Sequence, residues 1–253
     1  MDECAKVISS HSVVYPSIFP QPGWVEQRPA DWENAMRSGI SSALECVDPK
    51  QIAAISFSGH MSGVVLVGRD GFPLANCITL ADGRSDEECE WIRSRAEGRI
   101  FDSCKNPVIN AFAAPKLLWL LRHKPEAMKS AAAYLAPKDY LRYLLTGVMY
   151  AEATDAANSL LFRPAEGRWD TDLIRTLGLP ERIFPPVLKP FDEAGAVTEK
   201  AARVFSLPAG TPVIAGAADM ACGALGICVN SPGDTAVTLG TSATFLTAAH
   251  APS

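Results

Sequence analysis

Apolar residues along the chain occur both in short continuous runs and at helical spacing. Residues 52–57 and 212–215 are short apolar runs of the kind that form buried strands. Between them, apolar positions three and four residues apart predict helices at 115–122 and 137–145, the second ended by a Thr-Gly pair. Because strands and helices alternate, the pattern predicts an α/β fold.

Local signals add the remaining elements. Pro29 opens a predicted helix, because proline is tolerated at the first helical position, and the charged stretch 86–95 predicts an exposed helix. Asp219 begins a helix of small residues, and a turn at 69–71 joins two strands into a hairpin. The predicted strands outside the two apolar runs are 6–15, 64–67, 75–80, 195–198, 236–239 and 243–248.

Composition places the chain among ordinary globular proteins. Its 253 residues are 48% hydrophobic and 20% charged, which excludes disordered, collagen-like and coiled-coil classes. The net charge is -5, basic clusters are short and no apolar run reaches the ~20 residues of a membrane span. We therefore expect neither nucleic-acid nor membrane partners. The seven cysteines include no Cys-x-x-Cys pair, so the pattern favours a reducing cytoplasm over a zinc site or a disulfide framework.

One candidate site follows the apolar run at 52–57. His60, Met61 and Ser62 lie where a strand ends, the place at which open α/β sheets usually bind ligands. His60 could hydrogen-bond a sugar hydroxyl, and Met61 could lie against the carbon face of the sugar. The structural alternative is a tight turn with a satisfied histidine, and the pattern by itself favours that alternative.

Two acidic residues are further candidates. Asp82, beside Arg84 at the exit of the predicted hairpin, could fix polyol hydroxyls, or Asp82 or Ser85 could cap the following helix. Asp219, at a strand-to-helix junction, could be a general base or an ordinary helix cap. The glycines and alanines around Asp219 permit close backbone approach, which slightly favours a site.

A turn near the end of the chain is the last candidate. Gly240, Thr241 and Ser242 offer backbone N–H groups and hydroxyls to a phosphate, although most such turns only connect two strands. The P-loop, the dinucleotide-binding glycine motif, the nucleophile elbow and the HExxH zinc helix are all absent from the sequence. A Rossmann-type dehydrogenase is therefore excluded.

Taken in order, these segments resemble the FGGY family of carbohydrate kinases, with the xylulose kinase branch nearest. The resemblance rests on 22–27, 31–32, 58–61, 82–84, 137–141, 146–147, 154–157, 216–223 and 239–242. It implies an actin-like ATPase fold of the ribonuclease H-like type, with a mixed sheet flanked by helices. It also implies a sugar-binding N-terminal domain at 1–232 and the first strands of a C-terminal ATP-binding domain at 233–253.

The resemblance further implies an activity and a set of site residues. The reaction would transfer the γ-phosphoryl group of ATP, with Mg²⁺, to a hydroxyl of a pentulose such as xylulose, with Asp219 as the base. No metal ligand is expected within this chain, and a homodimer stays open. The implied sugar contacts are His60, Met61, Ser62, Asp82 and Met220, and the implied ATP phosphate contacts are Gly240, Thr241 and Ser242.

The chain departs from the xylulose kinase pattern at three of these places. Residues 60–62 read His-Met-Ser where that branch usually has Gln-Met-His, and 80–82 read Leu-Ala-Asp where it usually has Trp-Asn-Asp. Met220 replaces the asparagine that often follows the base. A site built to hydrogen-bond a hydroxyl discriminates strongly. Another pentulose, a hexulose or a polyol therefore remains an alternative substrate.

The family pattern also extends beyond both ends of the chain. The opening strand with Asp-x-Gly-Thr and most of the C-terminal domain have no counterpart in the sequence. We therefore expect a chain truncated at both ends, without its first strand, that does not turn over ATP alone. The alternative function is a non-catalytic sugar-binding or regulatory module derived from a sugar kinase.

Overall fold

The computed structural model describes residues 1–239 and 243–250. The helices in that part are α1 (Pro29–Leu44), α2 (Asp86–Cys104), α3 (Ala113–His123), α4 (Pro125–Ser130), α5 (Pro137–Thr146), α6 (Ala153–Ala157), α7 (Thr171–Thr176), α8 (Glu199–Phe205) and α9 (Asp219–Gly226). Two short 3₁₀ helices lie at Pro49–Gln51 and Glu181–Ile183. Within the same residues, no helix is both long enough and apolar enough to cross a membrane.

The strands are short and pair in both directions. They are β1 (Glu26–Gln27), β2 (Ser58–Gly59), β3 (Val65–Gly68), β4 (Cys77–Ile78), β5 (Ala131–Leu135), β6 (Ala151–Glu152), β7 (Phe162–Arg163), β8 (Arg168–Trp169), β9 (Val187–Leu188), β10 (Glu193–Ala196), β11 (Pro212–Ile214), β12 (Ala217–Ala218), β13 (Thr235–Leu239) and β14 (Ala243–Thr247). β2 pairs with β12 and β6 with β9 in parallel, and the other pairs are antiparallel. The α/β class and the mixed strand directions are confirmed.

Most predicted elements occur close to their predicted bounds. α1 starts at Pro29 as expected, and α5 ends at Gly147, which has a left-handed φ of 71°. The predicted hairpin forms, because Val64 and Ile78 exchange antiparallel backbone hydrogen bonds beside β3 and β4. The exposed helix predicted from residue 86 continues to Cys104, further than its charge pattern indicated.

Two predicted strands are corrected by the structure. Residues 6–15 form no regular element and are mostly exposed, because no described strand lies beside them to accept their hydrogen bonds. The apolar run at 52–57 predicts a buried strand, but its residues are either exposed or half-buried. In the described part of the chain their inter-strand hydrogen bonds go to residues 212–217, where Ile55 N–H donates to Pro212 O at 2.9 Å and Phe57 O accepts from Ala217 N–H at 3.1 Å.

Three groups of buried apolar side chains hold the elements together. The largest contains the inner faces of α2 and α3, including Ile92, Ile100 and Leu117, all fully buried. A second joins Trp32 of α1 to β3, β5 and α5. A third packs α8 against β11 and the apolar face of α1. Burying such side chains stabilises each by roughly 1.5–3 kcal/mol relative to exposure, so the helices form a firm support for the strand ends.

Candidate functional site

The parallel pair β2–β12 brings two predicted site residues together. Gly59 lies opposite Ala218 in this pair, so His60 and Asp219 are the residues that follow directly at the same edge. The negative charge of Asp219 acts on the pKa of His60, which is consistent with this proximity. The carboxyl ends of neighbouring parallel strands form the crevice in which α/β proteins place ligands.

Two glycines allow the backbones to approach closely here. A Cβ atom on Gly59 would lie 2.7 Å from the Cβ of Lys138, and one on Gly216 would lie 2.1 Å from the carbonyl oxygen of Phe57. Gly216 also has a left-handed φ of 75°, which other residues adopt only with strain. Glycine at 59 therefore lets α5 pack against β2, and glycine at 216 lets its segment approach Phe57.

His60 lies against the edge of Trp32, with ring centroids 6.0 Å apart and planes at 78°. The Nε2 atom of His60 is buried and has no hydrogen-bond partner among the described residues. Burial lowers the pKa of His60, which Asp219 and the Met61 backbone only partly oppose, so the ring is neutral near pH 7. A buried nitrogen without a partner in the described residues is suited to a ligand hydroxyl.

Met61 and Ser62 are both fixed by Asn158. The Asn158 side-chain amide donates to the Met61 sulfur at 3.2 Å, and the Ser62 hydroxyl donates to the Asn158 carbonyl at 3.5 Å. Ser62 is buried, at 2% exposure, and has a left-handed φ of 62°. A strained serine of this kind persists only where its surroundings hold it in place.

Lys116 supplies part of that restraint on Ser62. Its ammonium donates to the carbonyls of Ser62 at 3.2 Å, Ala111 at 2.7 Å and Phe112 at 3.3 Å. Lys116 is fully buried, and burial lowers the pKa of its amine to about 8. The cation thus ties the loop of Ser62 to the start of α3.

Asp82 is buried and engaged by protein donors. One oxygen accepts from the Val25 amide at 2.6 Å, and the other accepts from the Arg84 amide at 3.0 Å and the Arg84 Nε at 2.8 Å. The Arg84 guanidinium also contacts Glu26 at 2.8 Å and stacks on Trp24, 3.8 Å from the ring centroid. Asp82 therefore joins the hairpin exit to β1, and no side chain caps the start of α2.

Asp219 and Met220 begin α9 at the open edge of the site. Both are exposed, and the Met220 amide donates to Asp219 Oδ1 at 2.7 Å. Ala218, not Asp219, is the residue at the helix cap position. One carboxylate oxygen is thus held by the backbone, which leaves Oδ2 for a substrate.

A buried cluster of charged side chains lies behind these strand ends. The Lys138 ammonium lies 2.8 Å from Asp139, 3.1 Å from Glu152 and 3.0 Å from Asp155. Arg142 contacts Asp139 at 2.7 Å and donates to the Ala215 carbonyl at 2.9 Å. Because Ala215 directly precedes Gly216, the cluster is linked to the segment that carries Asp219.

A surface hollow, a metal site and the phosphate contacts remain to be placed relative to His60. A surface hollow of about 730 Å³ is lined by Gly68, Asp70 and Glu126 among others, none of which belongs to the set around His60. Residues 1–239 and 243–250 contain no group of three or more His, Cys, Asp or Glu side chains able to hold a metal ion. The predicted phosphate contacts Gly240, Thr241 and Ser242 lie outside the described residues.

Sequence comparison identifies the family. The model of the N-terminal domain of the FGGY family of carbohydrate kinases matches residues 1–226. The chain belongs to the FGGY family of carbohydrate kinases. The resemblance in the ordered motifs is thereby confirmed.

Named relatives of this FGGY chain are sugar kinases. The xylulose kinase of Bacillus subtilis (strain 168) is 35% identical over 248 residues, which are 97% of this chain and 50% of the relative. The crystal structure of the xylulose kinase from Rhodospirillum rubrum superposes with a TM-score of 0.89 at 28% identity, over 94% of this chain and 50% of that one. The gluconate kinase from Lactobacillus acidophilus superposes with a TM-score of 0.90 at 26% identity, over 96% of this chain and 50% of that one.

These likenesses confirm the actin-like fold expected of an FGGY kinase. The chain spans about half the length of the curated relatives it matches. Structures named for xylulose and for gluconate are equally similar in backbone. The fold therefore leaves the sugar to be decided by individual side chains.

Three polar residues near the site of this FGGY chain are not identified by its sequence motifs. Segments 137–141 and 154–157 carry part of the resemblance, but the sequence pattern indicates no role for Lys138 or Thr154. Lys116 was predicted only as part of an apolar helix. The available signal was a charged residue on the apolar face of a predicted helix, because such a residue must find buried partners.

Proposed function

We propose that this chain forms the sugar-binding half of an ATP-dependent kinase that phosphorylates a hydroxyl of a pentulose such as xylulose. The observation that carries the proposal is the register of β2 against β12, which places His60 and Asp219 at one edge. Family membership supports sugar kinase chemistry at that edge. The named xylulose kinase relatives support a ketopentose as the sugar.

In this proposal Asp219 is the general base. Its Oδ1 is held by the Met220 amide, so Oδ2 accepts the proton of the sugar hydroxyl. The hydroxyl oxygen then forms a bond to the γ-phosphorus of ATP as the bond to the bridging oxygen of ADP breaks. Such transfer depends mainly on positioning and charge stabilisation.

The other predicted contacts take different parts in sugar binding. His60 is neutral, and its free Nε2 hydrogen-bonds a sugar hydroxyl. Met61 and Met220 contact the carbon skeleton. Ser62 and Asp82, whose polar groups are already bonded within the protein, act by fixing the loop and the hairpin exit that shape the site.

We include ATP and Mg²⁺ in the proposal because the chain belongs to a family of carbohydrate kinases. Mg²⁺ neutralises phosphate charge in such reactions, and the described residues offer it no cluster of ligands. The proposed phosphate contacts are Gly240, Thr241 and Ser242, in a proposed ATP-binding part at 233–253 that follows the sugar domain at 1–232.

A melting-temperature scan against small sugars tests the proposal. The panel is D-xylulose, D-ribulose, L-ribulose, L-xylulose, fructose, glycerol and xylitol. A hundredfold excess over Kd stabilises the folded chain by ~2.7 kcal/mol, so binding raises the melting temperature by several degrees. We expect a shift with a ketopentose that is lost in Asp219→Ala and kept in the exposed control Asp102→Asn. No shift with any member would contradict the proposal.

The second candidate function is a sugar-binding module without catalysis. Met220, in place of the asparagine that often follows the base in xylulose kinases, favours it. We expect no ADP release when the chain is given Mg²⁺, ATP and the bound sugar. ADP release that disappears in Asp219→Ala would establish that the chain alone is a kinase and would exclude the module.

A further inference from the structure

The direction of Asp219 depends on the backbone of the residue before it. Ala218 is 1% exposed, and its φ of -58° and ψ of 148° turn the chain from β12 into α9. β12 pairs with β2 over two residues only. A catalytic carboxylate must be held within about 0.5 Å of its productive place, so a two-residue ladder needs further anchors.

One such anchor is the hydroxyl of Thr154. The Ala218 amide donates to Thr154 Oγ1 at 2.8 Å, from a residue remote in the sequence. A net contribution of about 1 kcal/mol is typical of a bond of this kind. The bond fixes the peptide unit immediately before Asp219.

The direction of the Thr154 hydroxyl is set by Glu152. Thr154 Oγ1 lies 2.6 Å from Glu152 Oε2, and the Thr154 amide donates to Glu152 Oε1 at 2.8 Å. An ionised carboxylate only accepts hydrogen bonds, so the single hydroxyl proton points to Glu152 and the oxygen lone pairs remain for Ala218. Lys138 Nζ lies 3.1 Å from the same Oε2 atom, so Glu152 is paired with a buried cation.

The same charged cluster holds the other end of this segment. Arg142 donates to the Ala215 carbonyl at 2.9 Å, while Thr154 accepts from the Ala218 amide. The four residues from Ala215 to Ala218 are therefore held at one end by Arg142 of the cluster and at the other by Thr154, which is bonded to Glu152 of the cluster. Two hydrogen bonds to side chains, one at each end, restrict the movement of this four-residue segment.

From these contacts we propose that Thr154 is a positioning residue for Asp219, acting through the Ala218 amide with its hydroxyl oriented by Glu152. The proposal rests on the proposed function in taking Asp219 as the base. Thr154 contacts neither sugar nor ATP in this arrangement. Its effect on sugar binding is transmitted entirely through Asp219.

The first test compares three threonine variants by amide hydrogen exchange. Thr154→Val keeps the shape and removes the acceptor, whereas Thr154→Ser keeps the hydroxyl. Thr198→Val is the matched control, because Thr198 Oγ1 accepts from the Ala201 amide at 3.2 Å at the start of α8. We expect exchange at Ala218 to rise about 5- to 10-fold in Thr154→Val alone. Unchanged exchange at Ala218 would overturn the proposal.

The second test is a double-mutant cycle on sugar affinity. We expect Thr154→Val to weaken D-xylulose binding about 3- to 10-fold, and Thr154→Ser to restore it. In an Asp219→Asn background, Thr154→Val should cause no further loss, because the effect passes through Asp219. An equal loss in both backgrounds would show that Thr154 acts on binding by another route and would overturn the positioning role.

A third variant decides the matter if Thr154→Val does not fold. Glu152→Gln keeps the side-chain shape but weakens the acceptor of the hydroxyl proton, so exchange at Ala218 should rise by a smaller factor. Unchanged exchange in Glu152→Gln would then overturn the proposal. If the unaltered chain binds no sugar, the proposed function fails, whereas the exchange measurements still decide whether Thr154 holds Ala218.

Discussion

The ammonium of Lys138 lies 3.0 Å from the carboxylate of Asp155, and both side chains are almost fully buried. Asp139 and Glu152 approach the same ammonium, and Arg142 adds a second cation beside Asp139. Three carboxylates thus share two cations away from solvent. An uncompensated buried charge is costly, so this excess of carboxylates over cations favours protonation of one carboxyl group.

Asp155 is the carboxyl group whose protonated form is favoured by its surroundings. Asp139 has both cations as partners, and Glu152 accepts two hydrogen bonds from Thr154. Neither oxygen of Asp155 receives a well-aligned hydrogen bond, although Lys138 is close. Burial raises the pKa of Asp155 to about 7, against the opposing charge of Lys138.

The first prediction is a pH dependence of stability that comes from Asp155. Between about pH 4 and about pH 7 the folded chain binds this proton and the unfolded chain does not, so rising pH favours unfolding. Asp155→Asn mimics the protonated form and lacks that slope. The unfolding free energy of the unaltered chain, relative to Asp155→Asn, should fall by on the order of a few kcal/mol across this window.

Urea unfolding at several pH values measures this difference. The control is Asp102→Asn, which changes an exposed carboxylate. A constant difference between the unaltered chain and Asp155→Asn from about pH 4 to about pH 7 would show that Asp155 is ionised throughout.

The second prediction concerns two glycines at the ends of segment 216–223, which contains Asp219. Gly216→Ala places a Cβ atom 2.1 Å from the Phe57 carbonyl oxygen at a left-handed φ, so it should destabilise the chain by about 3 kcal/mol or more. Gly223→Ala, in α9, meets no atom within 4 Å and should stabilise by about 0.5–1 kcal/mol. Urea denaturation of both variants checks the opposite signs, and equal effects would contradict the proposed close approach at Gly216.

The third prediction separates stability from binding at His60. His60→Phe keeps a ring against Trp32 but removes the buried Nε2 atom that has no partner. The free chain should become more stable by about 1 kcal/mol, because an unsatisfied polar atom is removed. Affinity for the bound ketose should fall about tenfold. Calorimetry measures both quantities, and a parallel loss of stability and affinity would indicate a purely structural histidine.

The fourth prediction concerns Lys116. Lys116→Met removes the donor to three backbone carbonyls and should cost about 3 kcal/mol of stability. Sugar affinity should fall as well, since Ser62 loses the bond that holds its strained backbone. The matched control is Lys129→Met, at an exposed position, which should change neither. Comparable urea midpoints for the two variants would contradict a restraining role of Lys116.

Local pattern was sufficient for the elements whose formation depends on nearby residues. α1 begins at its proline, α5 is capped by its glycine, and β13 and β14 lie close to the strands predicted at 236–239 and 243–248. The strand predicted at 6–15 failed because a strand exists only where a partner accepts its hydrogen bonds. Partners are supplied by residues far along the chain, which local propensity does not register.

Part of the candidate site was likewise predictable from local pattern, and part was not. His60 and Asp219 lie in glycine-containing motifs at predicted strand ends, and the register of β2 against β12 puts them at the same edge. The sequence does not show that the buried charged cluster around Lys138 and the hydroxyl of Thr154 are connected. These side chains come from separate segments, and they interact strongly only because folding buries them together.

The sequence by itself determined the α/β class, most element bounds, the family and the residue types available for chemistry, because these depend on local order and on motifs in series. The tertiary structure decided which of those residues meet. It placed Ala218 beside Gly59 and Thr154, and it left Asp155 among more carboxylates than cations. Such pairings are set by packing between distant segments, and excluding water from them gives each contact its strength.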